Sequence, residues 1–311
     1  MEQQRWIDTI TNAHPVDAEL FGMMGAAAAH LCEDLSKCFV DKRFEFMDHG
    51  EFQALERPSE IGRIYWAEML FRVYWAAALN IMRHQRWQAG CIHAFSPSPN
   101  LPVFAASLRG LLEASQDAWY SLRQVPSLLA ENQQAINAAL SGRSDHKFGV
   151  SEELENRLIH FIYGRKVEKD KREMMPDSHV AREPKEYRNA IGLPENEREA
   201  FKDLYDELCG ICHPTAFSLT FLWEEEATGI RIKDGQDYLY IRDICHKYKQ
   251  TISIALSLSV TLSALCLKAL NWFSLPEVKC AAIECWDFDA IPAWRKISQT
   301  ALDAGPDPTD S

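Results

Sequence analysis

Apolar residues recur at three- and four-residue intervals through most of this chain, the period of a helix buried along one face. After Pro15 the series Leu20, Met23, Met24, Ala27, Leu31 and Leu35 predicts a helix to about residue 39, with Gly22, Gly25 and four alanines suited to close helix packing. Pro58-Ser59-Glu60 is a helix start, and the segment from there to about residue 93 is nearly free of breakers. Its Tyr65, Trp66, Phe71, Tyr74 and Trp75 predict contact on more than one side. SPSPNLP interrupts the pattern. Asn100 as cap and Pro102 in the first turn then open a third helix to about residue 123, and a shorter one begins at Pro126. The helical period returns from residue 195 to about 213, where Pro214 stops it.

Two stretches depart from that period. Residues 141–194 are crowded with charges of both signs around one helix starting at Ser151, and predict a polar, partly mobile insertion. Its Arg165, Lys166, Lys169, Lys171 and Arg172 would make a basic platform for nucleic acid, but Glu168, Asp170 and Glu173 are interspersed, so a solvated surface is expected. SLTFLWEE, TGIRIKDG and QDYLYIRD are β-branched and aromatic with turn residues between them, which predicts a small antiparallel hairpin over residues 218–241. A long helix from about 242 to 273 follows. The expected fold class is all-α: an antiparallel bundle of long helices with a polar insertion and a hairpin before the last long helix. Residues 1–290 form a single domain in this reading, and 291–311 a C-terminal helix remnant with a disordered tail.

Composition narrows the partners. The 311 residues are 47% hydrophobic and 25% charged with a formal net charge of -12, so the chain as a whole repels phosphate backbones and any RNA contact must be local. Nine cysteines, an odd number scattered through apolar segments, fit reduced thiols and a cytoplasmic setting. The first twenty residues are polar, with acids at Asp8, Asp17 and Glu19, and predict no export signal. Residues 250–267 carry no charge and approach the length of a membrane span, but six serines and threonines favour a core helix, so no membrane partner is expected.

Candidate chemistry begins at CGICH, residues 209–213. The spacing matches covalent haem attachment, which needs an exported protein, and no cofactor is expected. A zinc site would join Cys209 and Cys212 to Cys245 and His246, although structural zinc pairs sit on turns and this pair sits in a helical pattern. A thioredoxin-like pair would need a strand before the motif. Four-residue steps instead align Tyr205, Cys209 and His213 on one face, with His213 just before the helix-ending proline. A histidine there also suits the negative end of a helix dipole. In the third helix Arg109, Glu113 and Asp117 follow at the same spacing among leucines, placing an ion pair Arg109–Glu113 within reach.

R-x-L-L-E in one helix and Y-x-x-L-[SC]-x-x-x-H-P ending a later one resemble the motifs of a widespread bacterial family of all-helical proteins without assigned function, itself often compared with the HEPN superfamily. The resemblance covers roughly residues 59–273 and carries over to Arg109, Glu113, Tyr205, His213 and Pro214. It implies a helical bundle, frequently dimeric, and for many HEPN proteins a metal-independent ribonuclease of toxin or antiphage systems. The usual HEPN signature, R-x4-6-H in one helix, is absent before His213, so Arg109 would have to supply the cation from another helix. On this reading His213 is the base, Arg109 the fixed cation, Glu113 its holder and Tyr205 a proton donor or phosphate ligand. Two further readings stand beside it: a binding or regulatory module whose Arg/Glu/His cluster is structural and which meets a cognate protein, and the zinc site above.

Overall fold

The computed structural model describes residues 15–143 and 149–303. The helices run α1 (Pro15–Ser36), α2 (His49–Gln53), α3 (Pro58–Phe95), α4 (Leu101–Leu122), α5 (Val125–Glu131), α6 (Gln133–Leu140), α7 (Glu152–Tyr163), α8 (Lys169–Arg172), α9 (Pro184–Ala190) and α10 (Glu195–Cys212). A hairpin of β1 (Trp223–Glu226) and β2 (Gly229–Ile232) precedes α11 (Asp237–Lys247), α12 (Lys249–Leu270), α13 (Ala281–Glu284) and α14 (Pro292–Asp303). This is an all-α bundle with one small antiparallel hairpin.

The core lies between α1, α3, α4 and α12. Gly90 meets Ser107, Trp87 crosses Gly110 and Arg83 reaches Asp117, so α3 and α4 run antiparallel. Gly22 lies against Lys249 and Gly25 against Ser253 and Leu256, so α1 and α12 run parallel, a departure from the uniformly antiparallel expectation. Gly22 has φ 69°, a left-handed conformation that kinks α1 and that only glycine adopts without strain.

The serines of α12 point inward. Asn80 Nδ2 of α3 donates to Ser259 Oγ at 3.1 Å and Ser263 Oγ at 2.8 Å, and all three residues are fully buried. His84 continues the layer, with Nδ1 at 2.9 Å from the Asn80 carbonyl and Nε2 at 3.1 Å from Ser115 Oγ. Hydrogen-bonded in this way, the hydroxyls of Ser259, Ser263 and Ser115 avoid the penalty of unpaired burial, whereas Ser257 Oγ is buried without a partner. Among the described residues α12 is the one helix long and apolar enough to cross a membrane, and 67% of its most apolar stretch is buried inside the protein.

Several sequence expectations need correction. QDYLYIRD is not a strand: it begins α11, because Asp237 Oδ1 accepts from the Leu101 N–H at the start of α4, at 2.7 Å, and Tyr238 stacks on Phe95. Residues 216–222 form a 3-10 helix, which leaves the hairpin only residues 223–232. The long helix expected from 242 to 273 is broken at Tyr248 (φ -111°, ψ 20°), whose hydroxyl bonds Glu207 at 2.8 Å. The polar insertion packs on the bundle: Leu154 and Leu158 of α7 are fully buried, and the Ala190 carbonyl of α9 accepts from Trp119 Nε1 and Arg123 Nη1 of α4. In the basic stretch Lys171 pairs with Glu168 at 2.6 Å. Beyond residue 290, α14 packs against α5 and stacks Trp294 on Trp272 at 5.3 Å. The tail expected to be disordered, 304–311, lies outside the described residues, as do 144–148 of the insertion.

Candidate functional site

Helix α4 starts where the sequence places it, with the Asn100 side chain accepting from Val103 N–H at 3.0 Å. Leu108, Leu111 and Leu112 are fully buried, and the same winding sets Arg109 and Glu113 on the rim that faces α10. Glu113 Oε1 accepts from Arg109 Nε at 3.0 Å and from the Tyr205 hydroxyl of α10 at 2.8 Å. One carboxylate oxygen thus joins two helices through two donors, both helped by its charge.

Electrostatics follow from that geometry. Burial works against the charge of Arg109, but the hydrogen bond to Glu113 and the neighbouring Tyr205 and Cys209 outweigh it and raise its pKa. The Tyr205 phenol is pushed up to about 12, first by burial and then by its bond to Glu113. It therefore stays protonated, a donor, across the neutral range. The terminal nitrogens Nη1 and Nη2 of Arg109 have no hydrogen-bond partner among the described residues, and its side chain is 30% exposed. A second guanidinium adjoins the group: Arg188 of α9 lies 5.6 Å from the Tyr205 ring centroid, against 5.4 Å for Arg109. Arg188 Nη1 is closed to solvent and has no hydrogen-bond partner. Two cations over one ring, balanced by one carboxylate, leave this patch able to accept an anionic oxygen.

His213 does not join the cluster. Helix α10 ends at Cys212, and His213 is extended (φ -91°, ψ 152°), so the four-residue step from Cys209 leaves the helical face at its last member. Its imidazole is exposed, lies beyond ion-pair distance of Glu113 and makes no side-chain hydrogen bond among the described residues. Cys209 and Cys212 are half-buried beside Arg109; burial raises the Cys212 thiol, and Arg109 pulls it down. Cys245 is buried in α11 with its thiol pushed up to about 12 by desolvation. Among the described residues no three His, Cys, Asp or Glu side chains converge to hold a metal, so Cys209, Cys212, Cys245 and His246 are not gathered into one ligand set.

Sequence reasoning missed Arg188, which lies in the insertion and has no motif pointing to it. It also passed over RWQAGCIH in α3, where Arg86 and His93 stand at the HEPN spacing within one helix. Both are exposed on one face, and His93 Nδ1 lies 2.7 Å from the Ala89 carbonyl of its own helix. A scan for that spacing over the whole chain finds it. No protein-family model, no curated protein and no solved structure matches this chain.

Proposed function

We propose that this chain is a HEPN-like helical protein that binds and cleaves RNA at the rim between α4 and α10, acting in the cytoplasm as an effector of a bacterial toxin or antiphage system. The observation that carries the reading is the shared Glu113 oxygen: it fixes Arg109 by Nε while leaving both terminal nitrogens free for a phosphate. In the reaction the 2′-hydroxyl loses its proton to His213 and its oxygen bonds to phosphorus. The bond from phosphorus to the 5′-oxygen breaks, giving a 2′,3′-cyclic phosphate, and the leaving oxygen takes a proton from Tyr205 or water. Arg109 balances the charge on the pentacoordinate phosphorus. Both groups must act on one phosphodiester linkage, so this reading requires the exposed His213 side chain, beyond the end of α10, to reach the linkage held at Arg109.

A second reading has its own support. The isolation of His213 favours a binding or regulatory module, working as a homodimer or with a cognate protein, in which Arg109, Glu113 and Tyr205 tie two helices together. Incubating the purified protein with total RNA in the presence of EDTA separates the two. Under the first reading the wild type cleaves, and Arg109→Ala and His213→Ala each lower the rate by about a hundred-fold or more. No cleavage by the wild type, or equal cleavage by both variants, overturns it. A His93→Ala variant run alongside reports whether the active face is on α3 instead.

A further inference from the structure

Among the described residues twenty large apolar side chains stand exposed, and nine of them lie between residues 217 and 240, on the hairpin and the two segments that flank it. The register of the hairpin sorts its own side chains by face. Trp223 stands opposite Ile232 and Glu225 opposite Ile230, and residues two apart along a strand share a face. Trp223, Ile230 and Ile232 therefore lie together, with Glu225 as the one charge among them, near the turn. The other face carries Glu224, Glu226, Arg231 and Lys233, which pair among themselves: Arg231 with both carboxylates and Lys233 with Glu224. Two acids there meet two bases, so that face is satisfied. The apolar face is not, with Ile230 70% exposed, Ile232 87% and Trp223 39%.

A two-stranded hairpin is marginal in water unless something packs on it. Among the described residues this one packs mainly on the 3-10 run over residues 216–222 from which it grows, and the core lies elsewhere, between α1, α3, α4 and α12. Phe217, Leu219 and Leu239, each about half exposed, add apolar surface on the flanking segments, which the Tyr240 hydroxyl ties together by its bond to the Thr220 carbonyl at 3.4 Å. These six side chains expose an area on the order of 600 Å², which is what each partner brings to a small, dissociable interface.

Charge narrows the occupant. With Glu224, Glu225 and Glu226 consecutive on β1 and a net charge of -12 on the chain, the hairpin repels RNA and anionic lipid. A partner surface must be apolar opposite Trp223 and the two isoleucines, and it must leave Glu225 at the rim. A second copy turned about a two-fold axis meets both conditions, because it sets the same three apolar side chains against each other and keeps both Glu225 carboxylates beside the turns. Two-fold pairs are also the commonest soluble oligomers.

We propose that the apolar face of the hairpin is a homodimer interface, packed against the same face of a second copy of this chain. Each protomer is folded before the copies meet, since its core does not include the hairpin, and the dimer dissociates on dilution. The assignment gives a surface to the homodimer named in the second reading above, but it stands on the hairpin and on neither reading of the α4–α10 rim.

Sedimentation velocity of the full chain over about 1 to 100 μM tests it, with a monomer–dimer equilibrium of Kd on the order of 10 μM expected. Ile230→Lys and Ile232→Lys change side chains that already stand largely in water, so both variants should fold, and each should weaken the dimer about ten-fold or more. Leu302→Lys, at an apolar position 71% exposed outside the hairpin, should leave it unchanged. Glu225→Gln should dimerise at least as tightly as the wild type, because the face holds no cation for that carboxylate to lose. A wild type that stays monomeric at about 100 μM overturns the proposal. So does a dimer indifferent to both isoleucine variants, one weakened equally by Leu302→Lys, or one weakened by Glu225→Gln. RNA cleavage assayed on the same preparations separates the two claims: a dimer that does not cleave sinks only the ribonuclease reading, and a monomer that cleaves sinks only this one.

Discussion

His84 shows how a single residue can be constrained by the layer around it. Desolvation, with Arg83 adding to it, lowers its pKa to about 3, so it is neutral in the folded protein down to that pH. The unfolded chain takes up a proton near 6.5. Between those values the unfolded state binds more protons, so stability falls as pH drops from about 6.5 toward 3 and is unaffected by this group above that window. Urea denaturation at about pH 7 and pH 4 should show a loss on the order of a few kcal/mol, and His84→Gln should flatten that slope. An unchanged slope in the variant would assign the acid loss to other groups. At the α4–α10 rim, Tyr205→Phe removes a bond to a carboxylate and should cost about 1.5 to 3 kcal/mol in the same measurement. Of this rim the pair Arg109–Glu113 was legible, because four residues along a helix is one turn whatever surrounds it. Arg188 was not, since its place beside Tyr205 depends on how the insertion folds back.

At the scale of the element, a close-packing face on α1 was readable from Gly22, Gly25 and the alanines that follow, but its partner α12 was not. The Gly25 N–H donates to Ser253 Oγ at 3.1 Å, and a Cβ on Gly25 would lie 2.8 Å from the Phe21 Cβ. Gly25→Val should therefore crowd Phe21 within α1 and, with its γ-methyls beyond a Cβ already 3.5 Å from Ser253 Cα, press on α12, costing about 1 to 3 kcal/mol, read as a lower melting temperature with little change in helical signal. Helix α11 shows the opposite case. The β-branched and aromatic content of QDYLYIRD argued for a strand, but the local pattern was overruled by Asp237 closing on the start of α4 more than a hundred residues away. Propensity is a weak prior wherever one long-range bond and an aromatic stack fix the backbone.

For the whole molecule, stability resides in the four-helix centre and not in the hairpin. Every residue of β2 is exposed, and of β1 only Glu224 is partly covered. Replacing residues 224–231 by a short glycine-serine turn should change stability by less than about 1 kcal/mol. A large drop in melting temperature would mean that the hairpin supports the bundle in a way its exposure does not suggest. The placement of α14, with Trp294 buried against Trp272 and Phe288, likewise ties the end of the described chain into the same core.

The sequence by itself determined the class of fold, the starts of α3, α4 and α7, and the ion pair on the α4 rim, because helical period, capping and i,i+4 spacing are local and act before any tertiary contact forms. Only the tertiary structure decided that Ser253, Ser259 and Ser263 of α12 face inward, that Tyr205 shares a carboxylate with Arg109 and that His213 turns away from them. Each of those depends on which surfaces of distant segments meet and on where a helix stops, and a linear pattern carries neither.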